Sequence, residues 1–227
     1  GLSPTQLGDS LPYVDLGTDG LGLRVVSLTL GSFHCCALFQ TGSVKCWGGN
    51  SWGELGHGHA LHVGDGVNEM GVNLPFTDLG TGRTVLKITA GFHHTCALLD
   101  NLLIKCWGAG LAGRLGYGDE LNRGDEPNEM GDYLPYVALG TGHTVLDIGT
   151  GADHNCVLLD NSRTKCFGYN FYGQLGLGDV ATRGSSINQM GDNLPYVDVG
   201  TGRTVASFSE ECMGVHHTCV VLDNNQV

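Results

Sequence analysis

Gly71-Val-Asn-Leu-Pro-Phe-Thr-Asp-Leu-Gly-Thr-Gly82 decides the architecture of this chain because it recurs. It returns as Gly131-Asp-Tyr-Leu-Pro-Tyr-Val-Ala-Leu-Gly-Thr-Gly142 and again as Gly191-Asp-Asn-Leu-Pro-Tyr-Val-Asp-Val-Gly-Thr-Gly202. An earlier copy begins at Gly8. The later copies are 60 residues apart and the first interval is 63, the three extra residues falling within Asp19–Val25. A fixed period of this length is the mark of a repeat array. The units run approximately over residues 8–70, 71–130, 131–190 and 191–227, the last incomplete.

Each unit holds four short runs of β-forming residues. In the third unit they are Tyr136–Leu139, Val145–Gly149, His154–Leu159 and Thr164–Gly168. They are rich in Val, Ile, Leu, Tyr and Thr and are bounded by Gly, Asp and Asn, which is how strands and their turns read. Asp160-Asn161, with Asp100-Asn101 and Asp223-Asn224 in sister units, marks a hairpin turn. No helical periodicity of useful length lies between the runs. The pattern predicts an all-β protein, a β-propeller of four-stranded antiparallel blades with about three and three-quarter blades present.

A second string follows the fourth run: Gly168-Tyr-Asn-Phe-Tyr-Gly-Gln-Leu-Gly-Leu-Gly-Asp179. Its sisters are Gly48-Gly-Asn-Ser-Trp-Gly-Glu-Leu-Gly-His-Gly-His59 and Gly108-Ala-Gly-Leu-Ala-Gly-Arg-Leu-Gly-Tyr-Gly-Asp119. With Gly-x-x-His before the third run and Cys-Trp-Gly or Cys-Phe-Gly closing the fourth, the chain resembles the regulator of chromosome condensation repeat family. The resemblance implies a seven-bladed propeller, of which this chain would be a part. The repeat is longer than the family's usual one, the added length falling at about Asp119–Asp132. The fourth unit stops after its third run and the chain opens on Gly1, so the expectation is a piece of a longer ring; a closed four-bladed ring is the alternative. Open blade faces would need a covering partner.

The cysteines follow the repeat. Cys36 and Cys46, Cys96 and Cys106, and Cys156 and Cys166 are each ten apart, on adjacent strands of one hairpin. Directly facing residues of a non-hydrogen-bonded pair have Cα atoms about 4.5 Å apart, which a disulfide accepts. Three cross-strand disulfides are therefore expected; reduced buried thiols and a zinc site are the alternatives, the latter short of a fourth ligand. Cys35, Cys212 and Cys219 stand outside this pairing, and a partner for Cys219 is expected two residues beyond Val227. Such cysteine usage points to an oxidising compartment, hence to secretion or the cell surface.

A residue present in every unit serves the blade, whereas a binding site breaks the repetition. His34, His94, His154 and His217 share one position, which favours a turn or inter-blade hydrogen bond over metal binding or catalysis. Leu55, Leu115 and Leu175 read as core plugs. Asp119, Asp125, Glu129 and Asp132 form an acidic group, but their counterparts vary too much for a repeated calcium site. Arg123-Gly124-Asp125 matches the integrin tripeptide by chance composition. The variable rim positions Asn50, Trp52, Glu54, Arg114, Tyr117, Tyr169, Phe171, Tyr172 and Gln174 are the candidate partner-binding surface, since aromatics and Arg make interface hot spots.

Composition narrows the function. Eleven Lys+Arg against 23 Asp+Glu give a net charge of −12, which leaves no basic footprint for nucleic acid. No run of 18 apolar residues supports membrane insertion. There is no P-loop, nucleophile elbow or His-Glu-x-x-His motif, and no cofactor or catalytic residue is assigned. The expected role is a non-enzymatic extracellular or cell-surface protein–protein interaction or assembly module; the resembled family includes secreted propellers that bind and inhibit β-lactamases. Two alternatives stand. One is guanine-nucleotide exchange on a small GTPase, the activity of the family's name-giving member, which the acidic balance and patterned cysteines disfavour. The other is glycan binding, with Trp52, Tyr169 and Tyr172 stacking on sugar beside Asn50, Asn170 and Gln174.

Overall fold

Three hairpin-linked sheets repeat along the chain, followed by a smaller fourth. A computed structural model describes residues 8–18, 22–208 and 213–227. Part of the Asp19–Val25 interval, and Cys212, lie outside the described residues. The first sheet comprises β1 (Val25–Leu30), β2 (His34–Phe39) and β3 (Val44–Gly48). The second comprises β4 (Val85–Ala90), β5 (His94–Leu99) and β6 (Ile104–Gly108), and the third β7 (Val145–Thr150), β8 (His154–Leu159) and β9 (Thr164–Gly168). The fourth pairs β10 (Val205–Ser207) with β11 (Val221–Leu222). All pairings are antiparallel, and the only helices among the described residues are three-residue 3-10 turns. The all-β expectation holds.

The blades differ from the expected four-stranded units in one respect. The run Tyr136–Leu139 does not join the sheet of its own unit; Val137 N–H donates to Ile104 O, 3.0 Å, on β6 of the unit before. Thr77 to Val44 and Val197 to Thr164 repeat the arrangement at 2.9 Å. Each blade therefore has three regular strands and borrows its outer edge from the next sequence unit. The edge stays irregular because Pro75, Pro135 and Pro195 have no N–H to give a ladder.

A buried lysine pins each borrowed edge. Lys105 Nζ donates to Leu79 O at 2.9 Å and Gly131 O at 2.8 Å, joining the edge segments of two successive units. Lys165 does the same with Leu139 O and Gly191 O, and Lys45 with Leu16 O and Gly71 O. Phe76, Tyr136 and Tyr196 cover the three ammonium groups at 4.8–5.0 Å from the ring centres. A buried charge is tolerated only when it is so bonded; burial nonetheless pulls all three lysine pKa values below the ordinary range.

The three expected disulfides form. Cys36–Cys46, Cys96–Cys106 and Cys156–Cys166 link directly opposed residues with Cα atoms 4.1 Å apart. They are buried and belong to the core, which lies between blades. Cys96, Leu98, Ile104 and Leu115 of one blade pack on Val145, Ile148, Leu159 and Phe167 of the next. Leu55 and Leu175 occupy the position of Leu115, as expected of plugs. Leu28 is 60% exposed where its counterpart Ile88 is 3% exposed, so the fourth unit does not close back over β1. The closed four-bladed alternative is thereby excluded.

The added segment of the long repeat ties neighbouring units together. Gly58 N–H donates to Gly124 O and Gly118 N–H to Gly184 O, both at 3.0 Å. The backbones approach so closely that a Cβ on Gly113 would collide with Ser185 N, whereas one on Gly142 would meet nothing. Both glycines have positive φ, so both substitutions carry the same kind of backbone strain. Gly113→Ala is expected to cost about 1–3 kcal/mol more than Gly142→Ala in denaturant unfolding; equal costs would refute the seam between the glycine-rich loop of one unit and the added segment of the next.

Candidate functional site

One end of every sheet gathers the variable sequence. The turns 31–33, 91–93 and 151–153 meet the loops after β3, β6 and β9 there, through Gly49 N–H to Phe33 O (2.6 Å), Ala109 to His93 (2.8 Å) and Tyr169 to Asp153 (2.9 Å). Beneath that rim the repeated histidines bridge blades. His34 Nε2 lies 2.8 Å from Thr95 Oγ1, His94 Nε2 3.1 Å from Asn155 Oδ1, and His154 Nε2 2.7 Å from Thr218 Oγ1. The receiving side chain then donates back to the first unit's loop: Thr95 to Glu54 O, Asn155 Nδ2 to Arg114 O, and Thr218 to Gln174 O.

This relay fixes protonation. Asn155 Oδ1 only accepts, so His94 carries its proton on Nε2 and leaves Nδ1 bare. Burial foremost lowers the pKa of His34 to about 4, with His93 nearby adding to it. Burial and Arg114 take His94 to about 3, and burial with His216 and His217 takes His154 to about 4. These are neutral structural imidazoles. Among the described residues no group of three His, Cys, Asp or Glu is arranged to hold a metal.

Several candidate partner-binding residues turn out to be internal. Asn50 is buried; its Nδ2 donates to His59 O and Leu61 O, and its Oδ1 accepts from Leu55 N–H. Asn170 repeats this loop brace. Glu54 is buried against the next blade, where His93 Nδ1 lies 3.1 Å from its Oε1. Arg114 is buried and pairs with Asp153 at 2.6 Å, a charge-reversed version of the same contact. Gln174 is buried too, its Oε1 accepting from Tyr172 N–H. Tyr117 packs into the core, and its hydroxyl bonds both Cys106 N–H and O; burial drives its pKa upward. Glu54 and Arg114 differ because each matches its neighbour across the seam, whereas Asn50, Asn170, Gln174 and Tyr117 brace their own unit.

The remaining candidates are exposed. Trp52 is 47% exposed, Phe171 63% and Tyr172 60%. Phe171 and Tyr172 meet edge to face at 5.3 Å, Tyr169 stacks on Phe171 at 6.3 Å, and Tyr172 reaches His216 at 4.3 Å. At the first unit a cleft of about 540 Å³ is walled by Phe33, Trp47, Trp52 and His93, with Asp65 at its edge. Phe33 stacks on His93 at 5.6 Å. Phe33, His93 and His216 escaped the sequence reading, the signal being the variable residue just before each repeated histidine, and Trp47 was read only as part of the Cys-Trp-Gly repeat. The acidic group is internally engaged: Asp119 holds Arg123, Asp132 accepts from Thr81, and Glu129 caps Gly124 and Glu126 N–H. Arg123 of the Arg-Gly-Asp tripeptide is thereby occupied.

The relay makes folding acid-sensitive. Its histidines titrate near 6.5 when unfolded and near 3–4 when folded, so the unfolded chain binds more protons between those values. The stability they contribute is complete above pH 6.5 and is lost as pH falls toward 4. Denaturant unfolding at pH 5 should show about 2 kcal/mol less stability per relay histidine than at pH 7, and His94→Gln should remove one share of that loss. A flat profile between pH 7 and 5 would refute neutral relay histidines.

Comparison with known proteins agrees with this architecture. The family model for the regulator of chromosome condensation (RCC1) repeat matches residues 25–54 and 145–174. The chain is 30% identical over 163 residues to the ultraviolet-B receptor UVR8 of Arabidopsis thaliana, covering 70% of this chain and 32% of the receptor. It is 28% identical over 158 residues to the X-linked retinitis pigmentosa GTPase regulator homolog of Caenorhabditis elegans, covering 70% of this chain but 10% of that protein. Yeast RCC1 (Prp20), in its crystal structure bound to Kap60, superposes with a TM-score of 0.63 at 20% identity, over 89% of this chain and 41% of that one. Human WBSCR16 gives 0.58 at 18% identity, over 88% and 45%. The chain thus spans a third or less of these two curated relatives and under half of these solved structures. The chain carries RCC1 repeats at residues 25–54 and 145–174, and its described blades share the propeller fold of the solved RCC1 structure.

Proposed function

We propose that this chain is a non-enzymatic protein–protein interaction and assembly module that works outside the cell or at its surface. The observation that carries the reading is the rim itself. Large rings at Phe33, Trp52, Phe171 and Tyr172 stand in water while the buried polar residues beneath them are spent on loop braces and blade-to-blade contacts. Exposed aromatics on a rigid scaffold are how interfaces gain affinity at low entropic cost. Similar propellers lend support, since yeast RCC1 was solved bound to Kap60, and Prp20p has been studied for binding to Gsp1p and histones. The E3 ubiquitin ligase HERC2 of Homo sapiens is also a relative, but this chain spans 3% of it.

The extracellular setting rests on the three buried disulfides, each worth about 2–4 kcal/mol in a fold that reducing compartments would open. Glycan binding loses its polar half, because the Asn50 and Asn170 amides brace their own loops.

Two measurements test the reading. A non-reduced peptide map of freshly extracted, thiol-blocked protein should return Cys36–Cys46, Cys96–Cys106 and Cys156–Cys166; free thiols throughout would move the protein to a reducing compartment and bring nucleotide exchange forward. Panning a random-peptide library on the folded chain should enrich binders that Trp52→Ala, or Phe171→Ala with Tyr172→Ala, weakens at least about tenfold. Binders indifferent to these changes would place the interaction elsewhere.

A further inference from the structure

Almost every cation of this chain is already held. Lys45, Lys105 and Lys165 are pinned to carbonyls, and Lys87, Arg114, Arg123 and Arg183 lie within 2.6–2.8 Å of an aspartate. Arg83 and Arg203 face Asp100 and Asp223 at 3.4 Å, and Arg163 lies 3.5 Å from the centre of the Tyr196 ring. Of the eleven Lys and Arg, Arg24 alone has no such contact among the described residues.

The acids are in surplus, and in one place the surplus breaks the repeat. The added segment of the second unit carries Glu120, Asp125 and Glu126. The first unit has Ala60, Asp65 and Gly66 there, and the third Val180, Ser185 and Ser186. Among the described residues no salt bridge reaches these three acids, although Asp119 and Asp179 each hold an arginine. Asp125 also faces Glu129; burial foremost, with Asp125 adding to it, raises the Glu129 pKa.

This segment lies against the loop that carries Trp52, at the seam between the first unit and the second. Gly58 N–H donates to Gly124 O, and a Cβ on Gly53 would collide with Asp125 N, so the residue after Trp52 touches the backbone of Asp125. Trp52 is exposed, and no ring or cation stacks on it among the described residues. By contrast Phe76, Tyr117, Tyr136 and Tyr196 each hold a cation of the chain itself. Trp is the ring that attracts cations best.

We propose that this seam is the docking site for a basic segment of a partner protein, whose arginine lies on the Trp52 ring and pairs with Asp125 or Glu126. A guanidinium suits both neighbours, since it stacks on an aromatic face and gives a carboxylate two parallel N–H bonds. A second copy of this chain does not supply that group, because all of its own cations but Arg24 are engaged. The proposal rests on the rim reading above and adds the chemistry of the partner.

The test pans two displayed peptide libraries of matched apolar composition on the folded chain, one with fixed arginines and the other with glutamates at the same places. Binders should come from the arginine library alone. Their affinity should fall at least about tenfold on Trp52→Ala and at least about threefold when Asp125→Asn is combined with Glu126→Gln. Asp9→Asn with Asp223→Asn removes the same charge from exposed sites elsewhere and should change affinity by less than about 1.5-fold. Urea unfolding confirms that each variant is folded. Binders from the glutamate library, no binders from either, or equal weakening by the two charge pairs would overturn the proposal. Binders that ignore Trp52 but need Phe171 and Tyr172 would also overturn it while the rim reading stands, and binders indifferent to all three rings would remove both.

Discussion

Each blade is held to the next by a histidine that never needs to be charged. The imidazole gives its Nε2 proton to a threonine or asparagine one blade on, and that side chain returns a hydrogen bond to the loop behind the histidine. The loop backbone, the inner strand and the neighbouring sheet are thereby fixed in a single circuit. Everything peripheral depends on that spacing. The leucine plugs lie within it, the glycine-rich loops close over it, and the buried lysines fasten its outer margin.

The circuit also separates structural variation from functional variation. Glu54 with His93 and Arg114 with Asp153 are opposite solutions to one contact, an acid meeting a base across a seam in either order. Such pairs discriminate against a blade docked on the wrong neighbour, because a mismatched seam would bury like charges. The rim rings have no such counterpart. Trp52, Phe171 and Tyr172 are exposed; Phe171 and Tyr172 pack on each other and on Tyr169, and Tyr172 also reaches His216.

Much of this was legible in the chain. The recurrence of Gly71–Gly82 located the units, the ten-residue spacing of Cys96 and Cys106 described a hairpin, and the invariance of His94 marked it as structural. What escaped was whatever passes between units. Tyr136–Leu139 reads as a strand of its own unit, yet it lies on β6 of the preceding one, since sequence order does not say which sheet edge is nearer. Nothing in the sequence marks Lys105 as buried, because the two carbonyls that converge on it come from different units. Glu54 and Arg114 vary like a binding surface because each answers a residue on the next blade, His93 or Asp153, while Asn50 and Gln174 are turned inward to brace their own loops.

The central claim is that the His–Thr/Asn circuit carries real coupling between blades. A double-mutant cycle on His34 and Thr95, with His34→Gln and Thr95→Val followed by denaturant unfolding, measures it directly. The account predicts an interaction energy of about 1–2 kcal/mol between the two sites. Additivity within about 0.3 kcal/mol would show that the blades are joined by apolar packing alone and would contradict the account.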